Sequence, residues 1–348
     1  MSRRALTLMV SGFLVLALGV TGAWLPVPYV VLSPGPTENT IGTVDDKPVI
    51  TIVGHKTYPT DGKLSLVTVA YQGGPSSRID LMTALRGWVD PTVAVVPEET
   101  IFPRTSTAEE VEQENTAEMT NSQDSATAAA LTELKIPYST VVSVIATEKG
   151  MPADGKLKPG DEINSVDGRL ATDVDMVSNT VKAHKPGDLV DFGITRGEER
   201  IDVSLKTIAS PHGKPMVGVT MQAKYKFPFT VKINVGDVGG PSAGMMFSLG
   251  IMDKLTPGAM TGGKAVAGTG TITPEGKVGP IGGIAQKMVG AQKSGATFFL
   301  SPAENCPEAL GAVPDGLRLV KVGTLHEAAK AVDVIRTGKG SLASCSAS

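Results

Sequence analysis

The sequence predicts an α+β protein with an N-terminal transmembrane helix, and three features carry that prediction. An apolar run fills residues 5–25 directly behind Arg3 and Arg4. Short β-branched runs at 49–53, 64–70, 141–145, 190–196 and 229–235 are bounded by Gly, Pro and Asp turn signals, as strands are. Apolar residues recur at helical spacing over 118–134, 174–183 and 283–293. With 40 Gly, 24 Pro and only 4% aromatic residues, the chain favours turns and close backbone approaches over one large aromatic core.

The apolar run sets the compartment. About 21 residues at about 1.5 Å each span about 31 Å, the thickness of a bilayer's hydrocarbon core. Arg3 and Arg4 belong on the cytoplasmic side, and Trp24 and Tyr29 suit the opposite interface. A cleaved signal peptide is the alternative. The run is long for one, and no small-x-small cleavage site follows it. A single-pass anchor in the cytoplasmic membrane is therefore expected, with the remainder extracytoplasmic. Two cysteines fit an oxidising space. A Cys306–Cys345 bridge, across a separation of 39, would pin the C-terminus and contribute about 2–4 kcal/mol. A net charge of −3 gives no case for nucleic acid.

Beyond the anchor, Leu32-Ser33-Pro34-Gly35-Pro36 reads as a rigid, non-helical exit. The strands at 49–53 and 64–70 are expected to pair across the turn at Thr60-Asp61-Gly62. Glu109, Glu110, Glu112, Glu114 and Glu118 read as a solvated face ahead of the 118–134 helix. They lack the glycine-bearing pattern of a calcium loop, and no metal site is expected.

Residues 136–207 form a distinct unit: a strand at 141–145, a turn at Gly150-Met151-Pro152-Ala153, a helix at 174–183 and a hairpin about Gly197. The string Pro-Ala, Leu157-Lys158-Pro159-Gly160-Asp161-x-Ile163, Val166-Asp167-Gly168 resembles a PDZ domain of the bacterial, circularly permuted kind. Such domains bind an extended peptide end by strand addition, with loop N–H groups holding its carboxylate. The resemblance implies that Val141, Val142 and Ser143 form the receiving strand. It makes Tyr138, Ser139 and Thr140 the carboxylate loop, and puts Val177 on the helical wall.

The chemistry concentrates downstream. The four histidines fall in no metalloprotease or Gly-x-Ser-x-Gly motif. Without histidine, a nucleophile needs another base, and lysine is the usual one. Gly240-Pro241-Ser242-Ala243-Gly244 puts a serine at a glycine-rich helix start, where backbone N–H groups near Gly240 and Ala243 could hold an oxyanion. On the 283–293 helix, at about 100° per residue, Lys287 lies about 60° from Ile284 and Lys293 about 180° from it. Lys287 thus edges onto the apolar stripe, where burial lowers an amine's pKa toward that of a working base. Snorkelling is the alternative for such a lysine. Gly258 to Lys264 nearly completes a phosphate loop, but Ala265 stands where a Ser or Thr would hold magnesium. No nucleotide or other cofactor is expected.

These segments resemble the proteolytic domain of Lon peptidases. The match runs through Gly240-Pro241-Ser242-Ala243-Gly244, Gly268-Thr269-Gly270-Thr271-Ile272-Thr273, Gly276, Val278, Pro280-Ile281-Gly282-Gly283, Lys287 and Pro302-x-x-Asn305. The Ser-to-Lys separation of 45 is close to that family's. The resemblance implies that Ser242 is the nucleophile, Lys287 the general base and Thr269 the residue orienting the lysine. It departs at Thr271, where Lon often has Glu, and at Gly239, where Lon often has an acid; the nearest acid here is Asp237. The whole layout resembles membrane-anchored Lon-like proteases with an internal PDZ domain. The domains implied are an anchor at 1–30, a first Lon-like part at 31–135, the PDZ domain at 136–207, the main catalytic part at 208–340 and a tail at 341–348. The expected activity is ATP-independent cleavage of unfolded or flexible segments of membrane or secreted proteins. The PDZ domain would capture exposed tails, and a homo-oligomer is compatible with the family. An inactive PDZ-bearing membrane adaptor is the alternative.

Overall fold

The computed structural model describes residues 3–103, 106–236 and 238–346, so Asp237 lies outside it, as do the side chains of 3–8, 18 and 23. In chain order the main elements are α1 (Arg3–Ala23), β1 (Tyr29–Asn39), β2 (Ile50–Val53), β3 (Lys63–Gln72), α2 (Leu81–Val89), β4 (Ala94–Pro97) and α3 (Ala108–Glu133). There follow β5 (Ser139–Thr147), β6 (Glu162–Val166), α4 (Val174–Ala183), β7 (Leu189–Arg196), β8 (Glu199–Lys206) and β9 (Val219–Lys226). The chain closes with β10 (Thr230–Ile233), α5 (Gly244–Leu255), β11 (Ala265–Gly268), α6 (Ile284–Lys293), β12 (Phe298–Pro302), β13 (Arg318–Val322) and α7 (Leu325–Thr337). Among the described residues no helix is long and apolar enough to cross a membrane.

The chain divides into two compact units, one of residues 1–136 with 229–348 and one of residues 137–228. The first is built on a six-stranded sheet of order β13-β12-β11-β3-β1-β4. Strands from both sides of the second unit are hydrogen-bonded neighbours in this sheet, because β11 runs parallel to β3 with Gly268 opposite Leu66. Helix α6 lies on the face carrying Val67, Ala267 and Phe299. Its fully buried Ile284 and Met288 each contribute roughly 1.5–3 kcal/mol there. The alternate face carries Gly268, where a Cβ would meet Met246 of α5 at 2.8 Å. Side chains alternate along a strand, so this one sheet separates the helix bearing Lys287 from the helix that follows Ser242.

Several expectations are corrected here. Strand β2 pairs with β10 rather than with β3, while β3 pairs with β1 and β11. The predicted rigid exit is the middle of β1, with an irregularity between Pro34 and Thr37. Helix α3 starts about ten residues earlier than its apolar period, because Thr107 and Glu110 form a reciprocal capping box. The expected disulfide between Cys306 and Cys345 is present, with Cα atoms 5.3 Å apart. The tail is further held where the Lys321 N–H donates to the Ala343 carbonyl. Lys264, in the near-phosphate loop, donates its amine to the Ile335 carbonyl in the last turn of α7, where cations are favoured.

The second unit is a sheet of order β8-β7-β6-β5-β9, with α4 beside it. As a compact unit it reaches beyond residue 207, where the PDZ domain is expected to end. Strand β9 pairs with β5 along its whole length, from Val219 opposite Thr147 to Lys226 opposite Ser139, so residues 208–228 complete this unit.

Candidate active site

Ser242 lies in a tight turn two residues ahead of α5, not within its first turn. Gly240 at φ +80° makes that turn, a conformation few side chains tolerate. Helix α3 braces it twice. The Gly240 N–H donates to the Asn115 carbonyl at 3.2 Å, and the Ser122 hydroxyl donates to the Pro241 carbonyl at 3.0 Å. From below, the Gly270 N–H donates to the Ser242 carbonyl at 2.8 Å. The nucleophile's backbone is therefore fixed by two other segments of the chain.

Lys287 reaches it from α6. Gly283, at φ +68°, caps that helix and sits so close to Val69 that a Cβ would come within 2.7 Å of its side chain. Lys287 is 4% exposed, whereas Lys293 on the same helix is solvent-exposed. Its Nζ lies 2.8 Å from Ser242 Oγ, to which it donates, and donates to Thr269 Oγ1 at 3.2 Å. The Thr269 hydroxyl in turn donates to the Ser242 carbonyl at 3.0 Å. With its proton committed there, Thr269 can only accept from the amine. Burial brings the Lys287 pKa from 10.5 down to about 8, because the charged form loses its water.

The pair opens onto a cleft of about 640 Å³ lined by Thr68, Val69, Ala70, Tyr71, Pro280 and Ile281. One wall is an unfinished strand. β3 pairs with β11 only over Lys63 to Leu66, which among the described residues leaves the 67–72 edge unpaired on that side. Another wall is held by Asn305, whose side chain accepts from the Ile281 N–H at 2.9 Å and donates to the Ile281 carbonyl at 2.8 Å. Thr271 lines the cleft where the resemblance would put an acid. Among the described lining residues the acid is Glu118, contributed by α3.

The expected oxyanion donors divide. The Gly240 N–H is given to Asn115, so it is not available. The Ala243 N–H, with that of Ser242, takes no carbonyl among the described residues. Asn115, Glu118 and Ser122 are site residues that the sequence motifs do not mark. Ser122 had a signal, since a serine on an apolar helical stripe needs a hydrogen-bond partner. Glu118 was indistinguishable from the solvated acids before it.

The peptide-binding residues expected in the second unit are not brought together as a groove. Val141, Val142 and Ser143 lie in β5, which has β6 on one side and β9 on the other and so offers no free edge. Ser139 and Thr140 pair with Lys226 and Tyr225. The Tyr138 ring packs against Tyr225 and Phe227, with centroids 5.8 and 5.6 Å away. Val177 is fully buried in the core. The free edge with a helix beside it is β9. A groove of about 200 Å³ lies between Ser178, Val181 and Lys182 of α4 and the chain from Pro215 to Met221. The sequence signal is the apolar–polar alternation of Val219, Met221, Ala223 and Tyr225 with Thr220, Gln222, Lys224 and Lys226, which the boundary expected at 207 leaves outside this unit.

Comparison with known proteins finds two domain types, with bounds that differ from those of the two compact units. Residues 198–336 match the family model of the Lon protease (S16) C-terminal proteolytic domain, and residues 115–207 match that of the PDZ domain. In these matches the PDZ stretch precedes the Lon stretch. Lon protease 1 of Bacillus subtilis (strain 168) is 31% identical over 119 residues, covering 32% of this chain and 15% of that protein. Lon protease of Azospirillum brasilense is 38% identical over 95 residues, covering 26% and 11%. The chain thus matches only a small part of the length of these curated relatives. A crystal structure of the PDZ domain of an SdrC-like protein from Listeria innocua is 27% identical, covering 23% of this chain and 92% of that one, with a TM-score of 0.23. Stretches of the chain thus match a Lon-type proteolytic domain and a PDZ domain.

Proposed function

We propose that this protein is an ATP-independent serine endopeptidase, anchored to the cytoplasmic membrane by its N-terminal helix with its catalytic part outside. It cleaves unfolded or flexible segments of membrane or secreted proteins. The observation that carries the catalytic reading is the buried Lys287 amine 2.8 Å from the Ser242 hydroxyl. The membrane reading is supported by the uncharged run at 5–25 and by the apolar side chains that α1 exposes, Phe13, Val15 and Leu16 each above 65%. On this reading the residues before the PDZ unit are the first part of the Lon-type fold, since β3 and β11 share a sheet.

A substrate segment adds as a strand to the open 67–72 edge of β3, which lays its scissile carbonyl over Ser242. Neutral Lys287 takes the Ser242 hydroxyl proton as Oγ bonds to the carbonyl carbon. The N–H groups of Ser242 and Ala243 receive the oxyanion. Thr269 accepts one amine N–H, which leaves the nitrogen lone pair aimed at Oγ. The ammonium then protonates the leaving amine, the C–N bond breaks, and water repeats the cycle on the acyl-enzyme. The PDZ unit captures tails along β9. With no motor to unfold substrates, folded domains resist because opening costs free energy.

Separate Ser242→Ala and Lys287→Met variants of the full chain, assayed on an unstructured protein such as casein, are expected to lose cleavage. Either variant retaining wild-type rates would remove that residue from the mechanism. A serine-directed covalent probe should label Ser242 in the wild type. No adduct would instead favour a non-catalytic adaptor.

A further inference from the structure

Helix α2 is inside out. Its inner face carries the small residues Ala84 and Gly87, and at Gly87 a Cβ would come within 2.5 Å of the Val95 side chain. The helix therefore lies tight against the sheet on its small residues. Its outer face carries Met82, Leu85, Trp88 and Val89, all exposed, with Val89 at 84%. At about 100° per residue these four share an arc of roughly 120°, with the exposed Arg86 at its border. A surface helix on a globular core normally has the opposite arrangement.

This face is continuous with the end of α1. The Leu81 N–H donates to the Leu25 carbonyl at 3.1 Å, and Pro26 pairs with Asp80 and Val27 with Ile79. Asp80 caps α2 by accepting the Thr83 N–H at 2.7 Å. The first turn of α2 is thus tied to the residues that leave α1, where Trp24 is 75% exposed and Leu25 59%. The chain has two tryptophans, Trp24 and Trp88, and both are exposed at this junction. Trp88 is steadied by an edge-on contact with the Tyr29 ring at 5.6 Å. Tryptophan prefers the headgroup level of a bilayer, where its ring is half apolar and its N–H stays wet. A flanking arginine suits anionic headgroups.

We propose that the outer face of α2 is a lipid-binding surface, lying in the membrane interface beside the exit of α1 and holding the proteolytic unit against the bilayer. The inference rests on the reading of α1 as a membrane anchor. It goes beyond that reading by assigning a second contact, which fixes the orientation of the proteolytic unit as well as its tether. Met82, Leu85, Trp88 and Val89 enter the acyl boundary, and Arg86 meets phosphate oxygens.

The two tryptophans provide a test that separates the two claims. The full chain is reconstituted into phosphatidylcholine–phosphatidylglycerol vesicles containing lipids brominated near the headgroup. Trp24→Phe leaves Trp88 as the reporter on α2, and Trp88→Phe leaves Trp24 as the reporter on the anchor. Bromolipid is expected to quench both, with the loss at Trp88 matching that at Trp24. Quenching of Trp24 alone would overturn the proposal and leave the anchor standing. Quenching of neither would remove both. Trp88 emission that is blue-shifted, indifferent to bromolipid and lost on dilution in detergent would assign the face to a second copy of the chain, and the lipid proposal would fall.

Discussion

Helix α6, with Lys287 turned into the core, and helix α2, with Leu85 and Trp88 turned out of it, belong to the same compact unit and are nearly the same length, 10 and 9 residues. Each reverses the usual amphipathic pattern in its own direction. In α6 the departure is compensated internally, because the buried amine has Ser242 and Thr269 as partners at 2.8 and 3.2 Å. In α2 the large apolar side chains remain exposed, and on the lipid-binding proposal their compensation comes from outside the chain. The difference teaches where to look for function. A broken pattern with an internal partner marks chemistry, and one without marks a surface that meets another phase or molecule.

The largest test of this contrast is removal of the dyad. Lys287→Met and Ser242→Ala should each lower kcat/KM by at least roughly 10²–10⁴-fold, the range that general-base catalysis supplies. The double variant should be no worse than either single one, because the residues act as a unit. Next in size is Thr269→Val, which removes the group that accepts from the amine. It should cost about 10- to 100-fold, the range expected when a buried donor loses its partner. That loss should persist at high pH if Thr269 controls the orientation of the neutral amine, and shrink there if it controls the amine's charge.

A pH series sharpens the same point. With the Lys287 pKa at about 8, about one molecule in ten has a neutral amine at pH 7, so kcat/KM should rise about tenfold through a midpoint near 8. A flat profile between pH 6 and 9 would break the assignment. Stability should follow the proton as well. The folded pKa lies below the 10.5 of an unperturbed lysine, so the cost of burying the charge is present in full below about pH 8. It is relieved as pH rises from there through 10.5. Lys287→Met should remove that dependence, with a gain at pH 7 of up to about 3 kcal/mol before the lost hydrogen bonds are counted. Denaturant midpoints of the two chains at pH 7 and pH 10 provide the measurement.

The smallest effect is expected on the other helix. Leu85→Gln, on the outer face of α2, should leave the stability of the detergent-solubilised chain within about 0.5 kcal/mol, as for a surface position without partners. A loss of several kcal/mol would mean that the face is covered within the protein itself, and the contrast with α6 would disappear.

The dyad was legible because its parts are local and chemically distinctive. The glycine-rich turn at Ser242, the apolar stripe that takes in Lys287 and the segment around Thr269 can each be read from a few adjacent residues. The helix at 174–183 and the hairpin about Gly197 were legible for the same reason. The groove of the PDZ unit was not. Tyr138, Ser139, Thr140, Val141, Val142 and Ser143 were placed on a free edge that β9 occupies, and β9 comes from more than 70 residues further along the chain. Strand propensity gives the existence of a strand but not its neighbours, and a strand is an edge only by virtue of what fails to pair with it. The pairing of β2 with β10 was missed for the same reason.

Sequence alone determined the kinds of chemistry present: a nucleophile without histidine, a lysine whose position forces it toward grease, an apolar run behind arginines and two cysteines. These follow from residue type and spacing over a few turns of chain. Tertiary structure decided the rest. It brought Asn115, Ser122 and Glu118 of α3 to the nucleophile's turn, gave the Gly240 N–H to a carbonyl, left the 67–72 edge of β3 open and set α2 on its small residues at the exit of α1. Each depends on which distant segments exclude one another from water and which leave a backbone edge unfilled. That balance is struck over the whole core, and no short stretch of sequence contains it.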